Sequence, residues 1–325
     1  MPRLIASFAT IACLAAAALT PAQAQPPARL AEVATGAVSG VYFPVGIALC
    51  RLPNQTRGVH GLRCAARPAE GSVGNIAALA AGETDLAIVQ SDIEADAVAG
   101  AGVFAGRPPF ATLRALMSLH AEPLVIVART DSGIRSLGDL AGRRVALGPE
   151  GSGTRDLAAA LVTALGWPRA EVAAAPALPV EALGTALCAG EIDAFAYAVG
   201  QPALAIQETA NACSVRLVPV EGPAAATLLS ARPALVATAI PGGLYRGTPG
   251  PTPSLGPVAR LVARSDLPDD VVGVLLAGIY DEFGMLTGLH PALGTLEARR
   301  SAAVGTAAPL HPAAAAFYAS RRLEP

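Results

Sequence analysis

Lysine is missing altogether from this chain of 325 residues: all 23 basic residues are Arg. That excludes a Lys-bearing phosphate loop, a lysine Schiff base and pyridoxal-phosphate chemistry. Charge of either sign is scarce at 15 %, against about a quarter in ordinary domains, while 53 % of residues are hydrophobic, so the chain is not intrinsically disordered. The net charge of −2 supplies no basic face, and nucleic acid is excluded as a partner. Long apolar runs are also missing beyond residue 24, where none reaches the ~20 residues of a spanning helix. The stretch 223–245 is interrupted by Arg232, Pro233 and Pro241. Only four His are present and none stands at ligand spacing from a Cys, so neither a metal centre nor a cofactor is expected.

What is there begins with a secretory pattern. Arg3 opens it, Leu4 to Leu19 is uncharged, and Ala22-Gln23-Ala24 offers small residues at the cleavage positions. Residues 1–24 are expected to be a signal peptide, with the mature chain starting at Gln25 in the periplasm. Cys13 lacks the aliphatic residue of a lipoprotein site, since Thr10 stands three positions earlier. The four remaining cysteines, Cys50, Cys64, Cys188 and Cys213, form an even set in an oxidising compartment. The local pairing, Cys50 with Cys64 and Cys188 with Cys213, is expected, though two other pairings are formally open. Each local bridge is worth roughly 3 kcal/mol in the chain-entropy picture.

The most informative feature is an internal repeat. Leu79-Ala-Ala-Gly-Glu-Thr-Asp-Leu-Ala-Ile-Val89 returns as Leu187-Cys-Ala-Gly-Glu-Ile-Asp-Ala-Phe-Ala-Tyr197. Each copy reads as helix end, glycine stop, acidic turn and buried strand. Upstream of the first copy, strands at 30–34 and 62–67 alternate with helices at 42–52 and 73–81. Upstream of the second, strands at 143–147 and near Val172 alternate with helices at 154–165 and 180–188. Two βαβαβ units result, each expected as a parallel open sheet covered by helices. Further strands at 113–119, 124–128 and 258–262 place two chain crossings, near 120–125 and near 250–256. The fold class is α/β, with a hinge and a central cleft between two open-sheet lobes. Lobe 1 is expected from 25–122 plus 252–325 and lobe 2 from 123–251. A helix after Arg264 carries Asp266, Asp269 and Asp270 at its start.

In open α/β sheets ligands bind beyond the strand carboxyl ends. The candidates there are Ser39, Tyr42, Ser72, Val73, Gln90, Ser91, Ser152, Gly153, Thr154, Arg155, Tyr197, Gly200 and Gln201. Gly151-Ser-Gly-Thr-Arg155 is the sharpest of these. Its glycines admit a ligand to the backbone, its free N–H groups favour an anion, and Arg155 is expected to clamp a carboxylate through paired hydrogen bonds. The plainer reading makes Ser152 an ordinary helix cap. Catalysis fares worse. Neither Ser72 nor Ser152 sits in a nucleophile elbow. His60, His290 and His311 suit turns, and His120 alone falls near the cleft. The pairs Glu83/Asp85 and Glu191/Asp193 stand at strand beginnings, where they cap turns. A hydrolase-like periplasmic enzyme on the same scaffold is the alternative to a binding protein.

Taken in order, Gly36-Ala-Val-Ser-Gly-Val-Tyr-Phe-Pro-Val-Gly46, Gly71-Ser-Val-Gly-Asn75, 81–92, Gly148-Pro-Glu-Gly-Ser-Gly-Thr-Arg155, Ile240-Pro-Gly-Gly-Leu-Tyr245 and Ala308-Pro-Leu-His-Pro312 resemble the TAXI family of solute-binding receptors of TRAP (tripartite ATP-independent periplasmic) transporters. The resemblance spans about residues 30 to 320. It implies a type II periplasmic-binding-protein fold, a small carboxylate ligand such as glutamate, glutamine or 2-oxoglutarate, and an integral-membrane TRAP permease as partner. It places Tyr42, Ser72, Gln90, Ser91, Ser152, Thr154 and Arg155 on cleft positions. Where relatives often carry Gly-His-Pro-Asn, this chain has Gly200-Gln-Pro-Ala203. A monomer is expected.

Overall fold

In the computed structural model the described residues are 28–167, 175, 177–302 and 306–323. The leader at 1–24 and the strand expected near Val172 lie outside them. Eleven strands are described: β1 (Arg29–Ala34), β2 (Leu62–Arg67), β3 (Leu86–Gln90), β4 (Leu113–Ala121), β5 (Leu124–Arg129), β6 (Val145–Ala146), β7 (Ala194–Ala198), β8 (Val215–Val218), β9 (Val236–Ile240), β10 (Thr252–Gly256) and β11 (Val258–Arg264).

They form a five-stranded sheet in the order β2-β1-β3-β11-β4, a four-stranded sheet in the order β6-β7-β5-β8, and the separate pair β10-β9. The parallel cores are the βαβ units of the repeat: β1 with β2 and β3, and β6 with β7. Neither sheet is parallel throughout. β11 runs antiparallel between β3 and β4, and β5 runs antiparallel between β7 and β8. The expectation of all-parallel sheets is corrected by these crossing strands, each of which enters its sheet from the other lobe. β3 and β7, the strands that end the two repeat copies, are buried at every position, as cover on both faces requires.

The chain passes from β4 to β5 through Glu122 and Pro123 and returns from β10 to β11 through Pro257. The two passages touch: the Glu122 N–H donates to the Pro257 carbonyl at 2.9 Å, and Ala121 pairs with Val258. A Cβ on Gly256 would overlap the Glu122 backbone oxygen, so this close approach needs glycine. β10 pairs with β9 and receives the Val220 N–H at Pro253. The return passage therefore falls at Pro257, beside the stretch 250–256 near which it was expected, and β10 goes with β9.

One apolar cluster runs from the helix Tyr42–Gln55 and β1 through Val125 and Val127 to the helices Val180–Cys188 and Leu204–Ala212, tying the two sheets together beneath the passages. Two smaller clusters fill the outer faces. Cys50 is bonded to Cys64, fastening the helix Tyr42–Gln55 to β2, and Cys188 to Cys213, fastening the helix Val180–Cys188 to the segment before β8. Asp85 accepts the Glu32 N–H, and Asp193 accepts from both the backbone and the guanidinium of Arg144. Both acids close turns at strand beginnings, away from the strand carboxyl ends. The late helix, Asp269–Asp281, starts at Pro268 with Asp269 and Asp270 in its first turn, while Asp266 pairs with Arg264.

Candidate functional site

A cavity of about 390 Å³ lies between the sheets at their carboxyl ends. From the five-stranded side it is lined by 36–38, 40–42, 68–72 and Gln90. From the four-stranded side it is lined by 149–150, 152–154, 179–181 and 197–199, and Glu122 lies at the crossing. Two helices point their starts into it, Ser72–Ala81 and Gly153–Ala164. The same device fixes each start to the neighbouring strand end. Ser72 Oγ accepts the Gln90 N–H at 3.0 Å, and Thr154 Oγ1 accepts the Ala198 N–H at 3.2 Å. The N–H groups of Ser72, Val73, Gly153 and Thr154 have no acceptor among the described residues. They are the spare donors that a helix start leaves, and they carry its positive dipole end. Ser152 accepts the Arg155 N–H at 3.2 Å, so the ordinary cap is present too. Gly153 packs against the Gln90 carboxamide, and a Cβ there would overlap Gln90 Oε1.

The floor is made by Tyr42, Gln90 and Glu122. The Tyr42 hydroxyl donates to Glu122 Oε2 at 2.7 Å and stands 3.5 Å from Ser72 Oγ. Glu122 is 2 % exposed. Burial pushes its carboxyl up to about 8, against the hydrogen bond from Tyr42, and nearby Asp92 pushes the same way. His120 Nε2 lies 3.8 Å from Glu122 Oε1 but supplies no charge, because burial lowers the imidazole to about 3. Burial also raises the Tyr42 and Tyr197 phenols, so both stay neutral. The Tyr197 hydroxyl has no hydrogen-bond partner among the described residues and lies against Gly40, next to the cavity.

The lobes touch around this cavity. The Gly74 N–H donates to the Gly151 carbonyl, Ser39 Oγ to Glu181, the Ala205 N–H to the Ser39 carbonyl and Ser91 Oγ to the Ala234 carbonyl. Arg232 bridges Asp92 at 3.4 Å and Asp156 at 2.5 Å. Burial raises Asp92 to about 7, with Arg232 opposing.

Seven of the thirteen candidates line the cavity: Tyr42, Ser72, Gln90, Ser152, Gly153, Thr154 and Tyr197. Arg155 does not. Its guanidinium donates to the Gly148 carbonyl at 3.1 Å, and the expectation of a clamp at the cavity wall is corrected. On a helix, residues two apart point to nearly opposite sides, so Arg155 need not share the exposure of Gly153. Ser39 and Ser91 are committed to the contacts between lobes, and Ser91 also receives the Val258 N–H. Val73 packs into an outer apolar cluster. Gly200 lies under the His120 ring, and Gln201 is held by Val199 and Tyr245. Sequence reasoning missed Glu70, Glu122, Glu150 and Glu181, all in the lining. Glu122 did carry a signal, as an acid with Pro after it in a two-residue gap between apolar strands.

The two sheets, two crossings and interlobe cavity define the class as a bilobal α/β periplasmic-binding-protein fold. Solved structures agree. A protein from Bordetella bronchiseptica RB50 matches with TM-score 0.54 at 14 % identity, over 90 % of this chain and 98 % of that one. The periplasmic binding protein BugD matches with TM-score 0.54 at 15 % identity, over 82 % and 88 %. PhnD1 from Prochlorococcus marinus (MIT 9301), solved with methylphosphonate, matches with TM-score 0.50 at 13 % identity, over 81 % and 90 %. The chain itself belongs to the NMT1-like family, whose model covers residues 33–320.

Proposed function

We propose that the protein is an exported solute-binding receptor. It closes two lobes on a small carboxylate of the glutamate, glutamine or 2-oxoglutarate type and delivers it to a TRAP-type ion-coupled permease. The leader at 1–24, a lobe from 25–122 with 257–325, and a second from 123–256 belong to this reading. The observation that carries it is the pair of helix starts, Ser72 from one lobe and Gly153–Thr154 from the other, with their spare N–H groups at one cavity. An oxyanion between them completes donors from both lobes, so binding favours the closed state. The cavity volume of about 390 Å³ falls in the range of small-molecule sites, and BugD and PhnD1 support the receptor scaffold.

The hydrolase-like alternative finds no support in the side chains. Ser72 Oγ accepts a backbone N–H, Ser152 Oγ donates to the Pro149 carbonyl, and neither hydroxyl is hydrogen-bonded to a histidine among the described residues. Mass spectrometry of the small molecule that copurifies, followed by thermal-shift titration with it, tests the proposal. A carboxylate recovered unchanged that raises the melting temperature is expected. Turnover of the added compound, or no shift with any carboxylate, would sink it.

A further inference from the structure

The ionisable side chains of the cavity lining are all of one sign. Glu70, Glu122, Glu150 and Glu181 line it, and no Arg or His among the described residues does. Glu70, Glu150 and Glu181 are exposed, at the mouth. Glu122 is buried at the floor.

The neighbours of Glu122 leave it without a cation. From the helix Tyr42–Gln55 it meets the Tyr42 hydroxyl, and from β3 the Gln90 carboxamide. From the start of the helix Ser91–Ala99 it feels Asp92, from β4 it meets neutral His120, and from β7 it faces Tyr197. Arg155 is turned to Gly148, and Arg232 is held by Asp92 and Asp156. Tyr42 donates to the Glu122 carboxyl, and the nearby Gln90 carboxamide also favours its ionised form. The Gln90 side-chain oxygen lies beside Gly153, buried and without a donor among the described residues. The floor thus presents two acceptors, Glu122 and Gln90 Oε1, and an acceptor left unpaired in a buried site is costly.

We propose that Glu122 selects the ligand by charge: it accepts a cationic nitrogen, an ammonium or guanidinium, so that the cleft takes small solutes bearing an amine and refuses those that are anionic throughout. The inference rests on the reading above for the place of the site, and it deepens it. The helix starts hold the carboxylate and Glu122 with Gln90 holds the amine. The acidic mouth concentrates cations over anions, in line with this choice. The step balances as a proton exchange: the neutral Glu122 carboxyl gives its proton to solvent as the ligand cation takes its place. Capture therefore tightens as pH rises, by up to tenfold per unit below about 8, and levels off above.

The test is calorimetry between pH 5.5 and 8.5, in two buffers of different ionisation enthalpy, with L-glutamine, L-glutamate, agmatine and 2-oxoglutarate as probes. An amine-bearing probe is expected to bind with proton release and to gain at least tenfold in affinity from pH 5.5 to 7.5. Glu122→Gln should weaken it tenfold or more and flatten the slope. The slope is read on the unaltered protein, so the test stands even where the variant fails to fold. If no amine-bearing probe binds, or one binds with proton uptake or with none, the proposal is overturned. Tight binding of 2-oxoglutarate alone overturns the role of Glu122 and leaves the carboxylate receptor standing. Binding of agmatine alone does the reverse.

Discussion

At neutral pH the folded protein holds a proton on Glu122 that the unfolded chain has already lost. Burial raises that carboxyl from 4.5 to about 8, so the folded state binds more protons between those values. Stability is then highest below the unfolded value and is lost as pH rises toward 8. Asp92 acts in the same direction up to about 7. Glu122→Gln keeps the shape and removes the titration. Denaturant unfolding at pH 5 and pH 8 is expected to show the variant losing less stability than the parent, by on the order of 4 kcal/mol at most. Parallel losses would mean that Glu122 is ionised in the folded protein. A second single-residue outcome belongs to Gly153, where an added methyl meets Gln90 Oε1. Gly153→Ala is expected to cost about 1–3 kcal/mol and to weaken any ligand that spans the two lobes, read by thermal unfolding and titration. Both glycine and the hydroxyls Ser72, Ser152 and Thr154 were legible in the sequence, because a Gly-Ser or Gly-Thr step before an apolar helix has a local cause. Arg155 and Glu122 were not. Which way Arg155 turns depends on the Gly148 carbonyl, and what surrounds Glu122 comes from β3, β4 and β7.

Helices and strands came through the sequence wherever a residue type punctuates them. The helix expected at 180–188 is found there, and the strand expected at 62–67 is β2. Both stand between Pro or Gly breaks and are apolar enough to need cover. The direction of β5 and β11 was not legible, because an apolar run reads alike in either orientation and only the crossings reverse it. Two of the elements carry expected outcomes. Ser152→Ala removes the side-chain acceptor of the Arg155 N–H and should cost about 1 kcal/mol in urea unfolding, through the start of the helix Gly153–Ala164. The bridges close loops of 14 and 25 residues, and each is expected to contribute roughly 3 kcal/mol. Cys188→Ser paired with Cys213→Ser should lower the unfolding free energy by that amount. An unchanged value would show that the short helix Val180–Cys188 is held by its apolar face alone.

Closure is a property of the whole molecule, and its contacts are the least local of all. Arg232 lies in the turn after the helix Pro223–Ala231, and nothing in its neighbourhood in sequence points to Asp92, 140 residues away. Yet it is the one basic side chain that joins the lobes across the cleft among the described residues, and Asp92 is 3 % exposed beneath it. Taking the guanidinium away leaves Asp92 and Asp156 facing each other without a cation. Without Arg232 the Asp92 carboxyl, already at about 7 against that cation, rises further, so the two carboxylates repel only at alkaline pH, where both ionise and moving the lobes apart to let water in relieves them. The passages at Glu122–Pro123 and Pro257 are single strands of chain, so they admit that motion without breaking either sheet. At alkaline pH Arg232→Ala is therefore expected to expand the ligand-free protein in small-angle scattering and to weaken ligand binding. Since part of the binding free energy must now be spent on closing, the affinity falls by the fraction of molecules no longer closed. Asp92→Asn in the same background removes one of the two repelling carboxylates and should bring the scattering profile back toward that of the parent. An Arg232→Ala protein with the parent's profile would place the closing force elsewhere, in the backbone contact of Gly74 with Gly151 and the Ser91–Ala234 bond.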